Sequence, residues 1–305
     1  MSRKSDVMVA ICLFAILAGT TLVAAYFGGS TTSGSSKIQV VAGENFWGSL
    51  VSQLGGKQVQ VLSIVTDPNA DPHEYESNSG DARAFASASL IIINGAGYDS
   101  WAQQLISADN NPNQIVLNVQ ELVDQTIGAN PHFWYSPFYV NETVMAMYKA
   151  LKAIDPANTT YFEQQYANLN ASLGQYNQRI AAIKSEYAGT PVASTESIFV
   201  YLANATGLDL VSPPAFMKDI SDGIDPSAQD VATFQNQLTN GTAKLLVYNT
   251  QTVTPITTQM ESLANASHIP IVGISETVQP PNSLFQYWMN NELISLQNAL
   301  ASVNG

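Results

Sequence analysis

The sequence predicts an α/β protein of two lobes, each a roughly four-stranded parallel sheet flanked by helices, with one long helix joining the lobes. Two observations carry this expectation. Short β-rich runs alternate with helical stretches in two successive sets, the pattern that parallel strands with helical crossovers require. Between the sets, Phe162, Tyr166, Leu169, Leu173, Tyr176, Ile180, Ile183 and Tyr187 follow a strict four-three spacing, which places them on one stripe of a helix.

The first set opens at Lys37 with a strand at Ile38–Val41, a helix at Phe46–Leu54 and a strand at Val59–Val65. A helix near Ala82–Ala88 leads into the strand Leu90–Ile93. Trp101–Ala108 reads as helix, Ile115–Val119 as strand and Pro137–Ile154 as helix. The linking helix follows, with Asp155 as N-cap and Pro156 as first helical residue. It spans about 30 residues, or roughly 45 Å. The second set alternates strands at Val192–Thr195, Leu208–Val211, Lys244–Tyr248 and Ile269–Ile274 with helices at Ile198–Ala205, Ala228–Leu238, Ile256–Ala266 and Leu284–Ala301. The expected division is therefore 1–36 for an N-terminal segment, 37–154 for one lobe, 155–189 for the linking helix and 190–305 for the other lobe.

Arg3 and Lys4 precede an apolar run of 21 residues from Val7 to Phe27, and a Gly/Ser/Thr tether follows to Ser36. A positive flank, an apolar stretch long enough for a bilayer and small residues make a signal sequence or an uncleaved membrane anchor. Cys12 lies too early in that run to suit a lipoprotein cleavage site, so the anchor is the preferred reading. Six Asn-x-Ser/Thr sequons, at Asn141, Asn158, Asn170, Asn204, Asn240 and Asn265, are compatible with an exported surface protein. The expected location is the outer face of the cell membrane, periplasmic or cell-surface.

Composition narrows the chemistry. With 11 Lys+Arg against 24 Asp+Glu the net charge is −13 and no basic run exists, which argues against nucleic acid. Cys12 is the only cysteine, so the exported part has no disulfide, thiolate ligand or cysteine nucleophile. A metal site must come from His, Asp, Glu and backbone oxygens.

In open α/β sheets ligands bind beyond the carboxyl ends of the strands. His73 follows the strand Val59–Val65, within Asp71-Pro-His-Glu-Tyr-Glu76, and His132 follows Ile115–Val119, within Asn130-Pro-His-Phe-Trp134. Glu196 directly follows Val192–Thr195, and Glu276 stands two residues beyond Ile274. Two imidazoles from one lobe and two carboxylates from the other are thus expected to meet across one cleft. Neutral imidazole and carboxylate suit divalent Mn, Fe, Zn or Co, and two negative charges offset the ion's charge. Each residue also has a plainer explanation: a solvated loop histidine, or a carboxylate at a helix N-terminus. His268 is expected to be a surface residue.

At these residues the chain resembles the metal-binding solute receptors of zinc and manganese ABC transporters. The marks are Asp71-Pro-His73 with Tyr75, Ala88-Ser-Leu-Ile-Ile-Ile-Asn-Gly95 followed by Trp101, Asn130-Pro-His-Phe-Trp134, Ser194-Thr-Glu196 with Gly207-Leu208, and Asp225-Pro-Ser227. The resemblance covers Ile38 to Ala301. It implies a four-ligand site at His73, His132, Glu196 and Glu276, a cargo of Mn2+ or Zn2+ with Fe2+ also compatible, and delivery to an ABC permease with its ATPase subunit. It implies a binding protein and no enzyme, working as a monomer. Glu196 stands where zinc-type members tend to have a third histidine, and no His-rich loop exists, so the set is more similar to the manganese type. The departure is Glu276, where many relatives place an Asp. Two other readings are open on the residues: a surface adhesion protein with a structural metal, and a metallohydrolase, which needs an open coordination position and a general base.

Overall fold

β1 (Ile38–Glu44) is buried at all but one position, as expected for a strand covered on both faces of a parallel sheet. In the computed structural model, residues 37–109 and 111–303 are described. The expected anchor and tether lie outside them, and no helix among the described residues is long and apolar enough to cross a membrane. β1 pairs in parallel with β2 (Val59–Val65) on one side and β3 (Leu90–Ile93) on the other, and β3 pairs with β4 (Ile115–Asn118). The resulting order is β2-β1-β3-β4.

Helices α1 (Asn45–Gly55), α2 (Ser79–Ser87) and α3 (Ser100–Asp109) make the crossovers, followed by the short α4 (Val119–Leu122) and by α5 (Pro137–Ile154). Local chemistry sets several of their ends. Asn78 and Asp81 close a reciprocal capping box at the start of α2. Ser136 caps α5, whose first residue is Pro137.

α6 (Thr159–Tyr187) is the expected linking helix. Seven residues of its stripe are buried, and Tyr166, partly buried, stacks on Tyr148 at 4.7 Å. Its start differs from the expectation. Asp155 and Pro156 open a 3-10 turn, Pro156–Asn158, before the α-helix begins, and Asp155 spends its carboxylate on the Asn158 side chain at 2.7 Å.

The second sheet repeats the first with order β6-β5-β7-β8, all parallel. Its strands are β5 (Pro191–Ser194), β6 (Asp209–Leu210), β7 (Leu245–Asn249) and β8 (Ile271–Ile274), and its helices are α7 (Val200–Thr206), α8 (Pro214–Ser221), α9 (Ala228–Thr239), α10 (Pro255–Ala266) and α11 (Phe285–Val303). α8 is not among the helices expected from the sequence. Here Pro214 is the first helical residue, where its missing N–H costs nothing, and Phe216, Met217 and Ile220 bury the helix face.

One apolar cluster runs from Val40 and Leu90 in the first sheet, through Leu173, Tyr176 and Ile183 of α6, to Val192 and Leu245 in the second. Two smaller clusters cover the outer faces, around Phe85 and around Phe234. At roughly 1.5–3 kcal/mol for each large apolar side chain fully buried, α6 is held by its stripe rather than by its termini. In both sheets the strand order reverses at the centre, between β1 and β3 and between β5 and β7, which is where ligands of open α/β sheets bind.

Candidate metal centre

All four predicted side chains follow carboxyl ends of strands, and the fold brings them together. One ligand-capable atom from each of His73, His132, Glu196 and Glu276 lies within 4.8 Å of the other three. His132 Nε2 is 3.2 Å from Glu196 Oε1 and 4.0 Å from Glu276 Oε2. His73 Nε2 is 3.4 Å from Glu276 Oε2. His132 and both glutamates are fully buried, while the His73 side chain keeps 21% of its surface exposed. His268 is exposed and outside the group.

Each imidazole is aimed by its local sequence. Asp71 Oδ1 accepts the His73 backbone N–H at 2.9 Å, and Pro72 stiffens the 3-10 turn that carries the ring. The ring packs edge-on against Tyr98, 4.8 Å between centroids. For His132 the partner is Asn130. The Asn130 amide N–H donates to the Ser197 carbonyl at 2.7 Å, so its Oδ1 must be the acceptor facing His132 Nδ1, also at 2.7 Å. Nδ1 therefore carries the proton, and Nε2 presents a bare lone pair to the site.

The carboxylates are aimed just as closely. Glu196 adopts extended backbone at the N-cap of the turn Ser197–Phe199 and makes no side-chain cap bond to it, so its carboxylate is spent elsewhere. Asn249, the last residue of β7, donates its amide N–H groups to Glu196 Oε2 and to Glu276 Oε1, the latter at 2.6 Å. Asn249 Oδ1 accepts the Gln251 backbone N–H at 2.9 Å, which settles which way the amide faces. Gln251 Oε1 takes the backbone N–H groups of Glu276 and Thr277, both at 2.9 Å. Tyr98 donates its hydroxyl to Glu276 Oε2 at 2.6 Å, from a loop that requires Gly95 at φ 78°, where a Cβ would sit 2.2 Å from Asn118 Oδ1.

What is left over defines the centre. His73 Nε2, His132 Nε2 and Glu196 Oε1 are buried polar atoms with no hydrogen-bond partner. Leaving such atoms unmatched costs about 1–3 kcal/mol each. All three face the same small space, together with the Glu276 Oε2 edge, and that space has the donor set and size of a transition-metal site.

The electrostatics agree. Burial pushes the Glu196 carboxyl up, but the imidazoles of His132 and His73 and the Asn249 amide outweigh it and hold it below the ordinary glutamate value. Burial pushes His73 down, and the charges of Glu276 and Glu196 more than reverse this, leaving it raised. Asp71 is raised by burial, with the charge of Glu276 adding to the effect. His73 is the member of the quartet on a cleft of about 1030 Å3, whose walls include Asp71, Tyr98, Asn130, Ser197 and Thr252.

Sequence reasoning named the four converging residues and missed those that orient them. Asn130 stood inside a recognised motif without a role. Asn249 ends a strand at the same level as Glu196, yet a search confined to His, Asp and Glu passes over an amide. Tyr98 carries no periodic or charge signal.

Comparison with known proteins comes to the same architecture. The profile of the family described as ZnuA, zinc-uptake complex component A periplasmic, matches residues 40–299. The metal ABC transporter substrate-binding lipoprotein FimA of Streptococcus parasanguinis is 26% identical over 230 residues, which are 69% of this chain and 71% of FimA. The manganese ABC transporter substrate-binding lipoprotein PsaA of Streptococcus pneumoniae is 25% identical over 237 residues, 71% of this chain and 73% of its own. Among solved structures, FpvC of Pseudomonas aeruginosa in complex with Mn2+ superposes with a TM-score of 0.71 at 18% identity, covering 87% of this chain and 99% of FpvC. A crystal structure of ZnuA gives 0.69 at 21% identity, covering 86% and 99%.

Proposed function

The chain belongs to the zinc-uptake complex component A family, and from that membership we propose that it captures one divalent transition-metal ion outside the cytoplasm and passes it to an ABC permease powered by its ATPase subunit. His73, His132, Glu196 and Glu276 hold the ion, which is cargo and not a resident cofactor. The observation that supports this reading best is the convergence of three buried, unpartnered side-chain atoms on one point, with the Glu276 carboxylate closing the fourth side. Two neutral imidazoles and two carboxylates make a neutral assembly around a divalent ion, which lowers the cost of taking it out of water.

The imidazole and carboxylate donors accept Mn2+, Zn2+ and Fe2+ alike. Four protein donors fill a tetrahedral shell and leave no position for a reactive water, as a carrier requires and a hydrolase does not. The ion enters and leaves past His73, the one ligand on the cleft. The apolar run Val7–Phe27 tethers the receptor to the outer face of the membrane through the Gly/Ser/Thr segment.

Isothermal titration of the chelator-stripped protein with Zn2+ and Mn2+ tests the reading. One tight stoichiometric site, lost in His132→Ala and in Glu276→Ala, is the expected result. Absence of binding by the wild type, or binding indifferent to both substitutions, would overturn it.

A further inference from the structure

The two carboxylates of the centre have four oxygens, and their hydrogen bonds divide them unequally. Glu276 Oε1 accepts from Asn249 Nδ2 at 2.6 Å and from Thr252 Oγ1 at 3.2 Å, which uses both of its lone pairs. Glu276 Oε2 accepts only from Tyr98, leaving one lone pair toward His73 and His132. Glu196 repeats the division. Its Oε2 is taken by Asn249 Nδ2, and its Oε1 has no partner. One amide nitrogen carries two hydrogens, and both carboxylate oxygens lie nearer to it than its third acceptor, Thr252 Oγ1 at 3.0 Å, so Asn249 holds back one oxygen of each glutamate at once.

Asn249 cannot readily turn away. It is buried at the end of β7, in register with Ile274 of β8. Its Oδ1 is fixed by the Gln251 N–H, and a flipped amide would point an oxygen at two carboxylates. A chelating, two-oxygen mode for either glutamate would have to break a charge-assisted hydrogen bond in a dry interior, where such bonds are strong.

We infer that Asn249 sets the coordination number of this site. By reserving one oxygen of Glu196 and one of Glu276, it limits the protein to four donors, two nitrogens and two oxygens. Such a shell satisfies ions content with tetrahedral coordination, Zn2+ foremost, and is short for Mn2+, which prefers octahedral, oxygen-rich sets. Asn249 touches no ion. It is a positioning residue that decides which cargo fits, and the length of the glutamate side chains by itself does not deliver chelation. The inference rests on the proposed reading that the quartet holds the ion.

The test uses the full chain, stripped with chelator, and Asn249→Ala. Co2+ is the spectroscopic probe, because its visible absorption is intense in four-coordinate sites and weak in six-coordinate ones. The wild type is expected to give the intense four-coordinate spectrum. In Asn249→Ala the freed oxygens allow chelation, so the Co2+ bands weaken and the ratio of the Mn2+ to the Zn2+ dissociation constant falls by about tenfold or more, the usual scale of second-partner effects. A weak, six-coordinate Co2+ spectrum in the wild type overturns the inference, as does a variant with both spectrum and ratio unchanged. Should Asn249→Ala fail to fold, Asn249→Ser, whose shorter side chain carries one hydroxyl proton and so cannot hold both carboxylates, replaces it. A smaller shift in the same direction supports the inference, and an unchanged ratio overturns it. A wild type that binds none of the three ions is a different outcome, because it removes the functional reading itself and the inference with it.

Discussion

His132 illustrates how much of the proposed centre depends on a neighbour that is not itself one of the four ligands. Asn130 fixes its tautomer by receiving the Nδ1 proton, and the Asn130 amide is itself anchored on the Ser197 carbonyl. Asn130→Ala should therefore weaken metal binding about 10–100-fold while leaving the fold intact, which competition against a chromogenic chelator measures. His73 makes a second prediction. Its pKa is raised because the charges of Glu276 and Glu196 outweigh burial, so a proton occupies the ring above the ordinary histidine range in the metal-free protein. Metal must displace that proton, and affinity should fall by about tenfold per pH unit for each proton displaced as pH drops below that pKa. Affinity that stays flat through the histidine range would contradict the assignment of His73. The four converging residues were legible in the sequence because each follows a strand end and carries ligand chemistry. Asn130, Asn249 and Tyr98 were not, because neutral side chains that act through hydrogen bonds leave no mark in charge or periodicity.

At the scale of elements, α6 and α11 differ in how far sequence revealed them. The α6 stripe is a pure burial pattern and was readable residue by residue. The role of α11 depends on one polar side chain. Glu292 accepts the Ser275 backbone N–H and the Trp288 indole N–H, both at 2.9 Å, so the helix grips the loop that carries Glu276. Tyr135 lies 2.7 Å from Glu292 Oε2 and 2.8 Å from the Ser275 carbonyl but has one proton to give. A protonated Glu292 carboxyl lets both contacts form, since it can donate to the Tyr135 hydroxyl while that hydroxyl donates to the carbonyl. Desolvation raises that carboxyl from 4.5 to about 7, in keeping with this count. A carboxyl whose folded pKa is raised stabilises the protein below its unfolded value. That contribution is lost as pH climbs from 4.5 through about 7. Glu292→Gln, which mimics the protonated form, should make the metal-free protein about 1–2 kcal/mol more stable at about pH 8 and little changed at about pH 4. Urea unfolding at the two pH values checks it, and equal destabilisation at both would refute the neutral carboxyl.

Across the whole molecule, one apolar cluster joins both sheets through α6, and the Glu276 loop is held from both halves. Asn45 of α1 takes the Val278 N–H at 2.9 Å, and Tyr98 takes up Glu276. The two sheets are thus tied by packing along a helix, where a hinge of loose strands would let them swing. Size scaling gives a radius of gyration of roughly 18 Å for the part beyond Ser36. X-ray scattering should find it unchanged within error on metal addition, and a clear contraction would refute the stiff linkage. The two-lobed α/β plan and the parallel sheets were predictable from alternating strands and helices. The continuous core between them was not, since sequence patterns mark which face of an element is buried and not what it is buried against. α8, which was not expected, has only eight residues and opens on a proline, so its apolar face gives a short periodic signal. The most direct test of the central claim is an anomalous-difference map from crystals grown with Zn2+. One dominant peak is expected about 2.0–2.2 Å from His73 Nε2, His132 Nε2, Glu196 Oε1 and Glu276 Oε2. A dominant peak elsewhere, or only scattered surface sites, would contradict it.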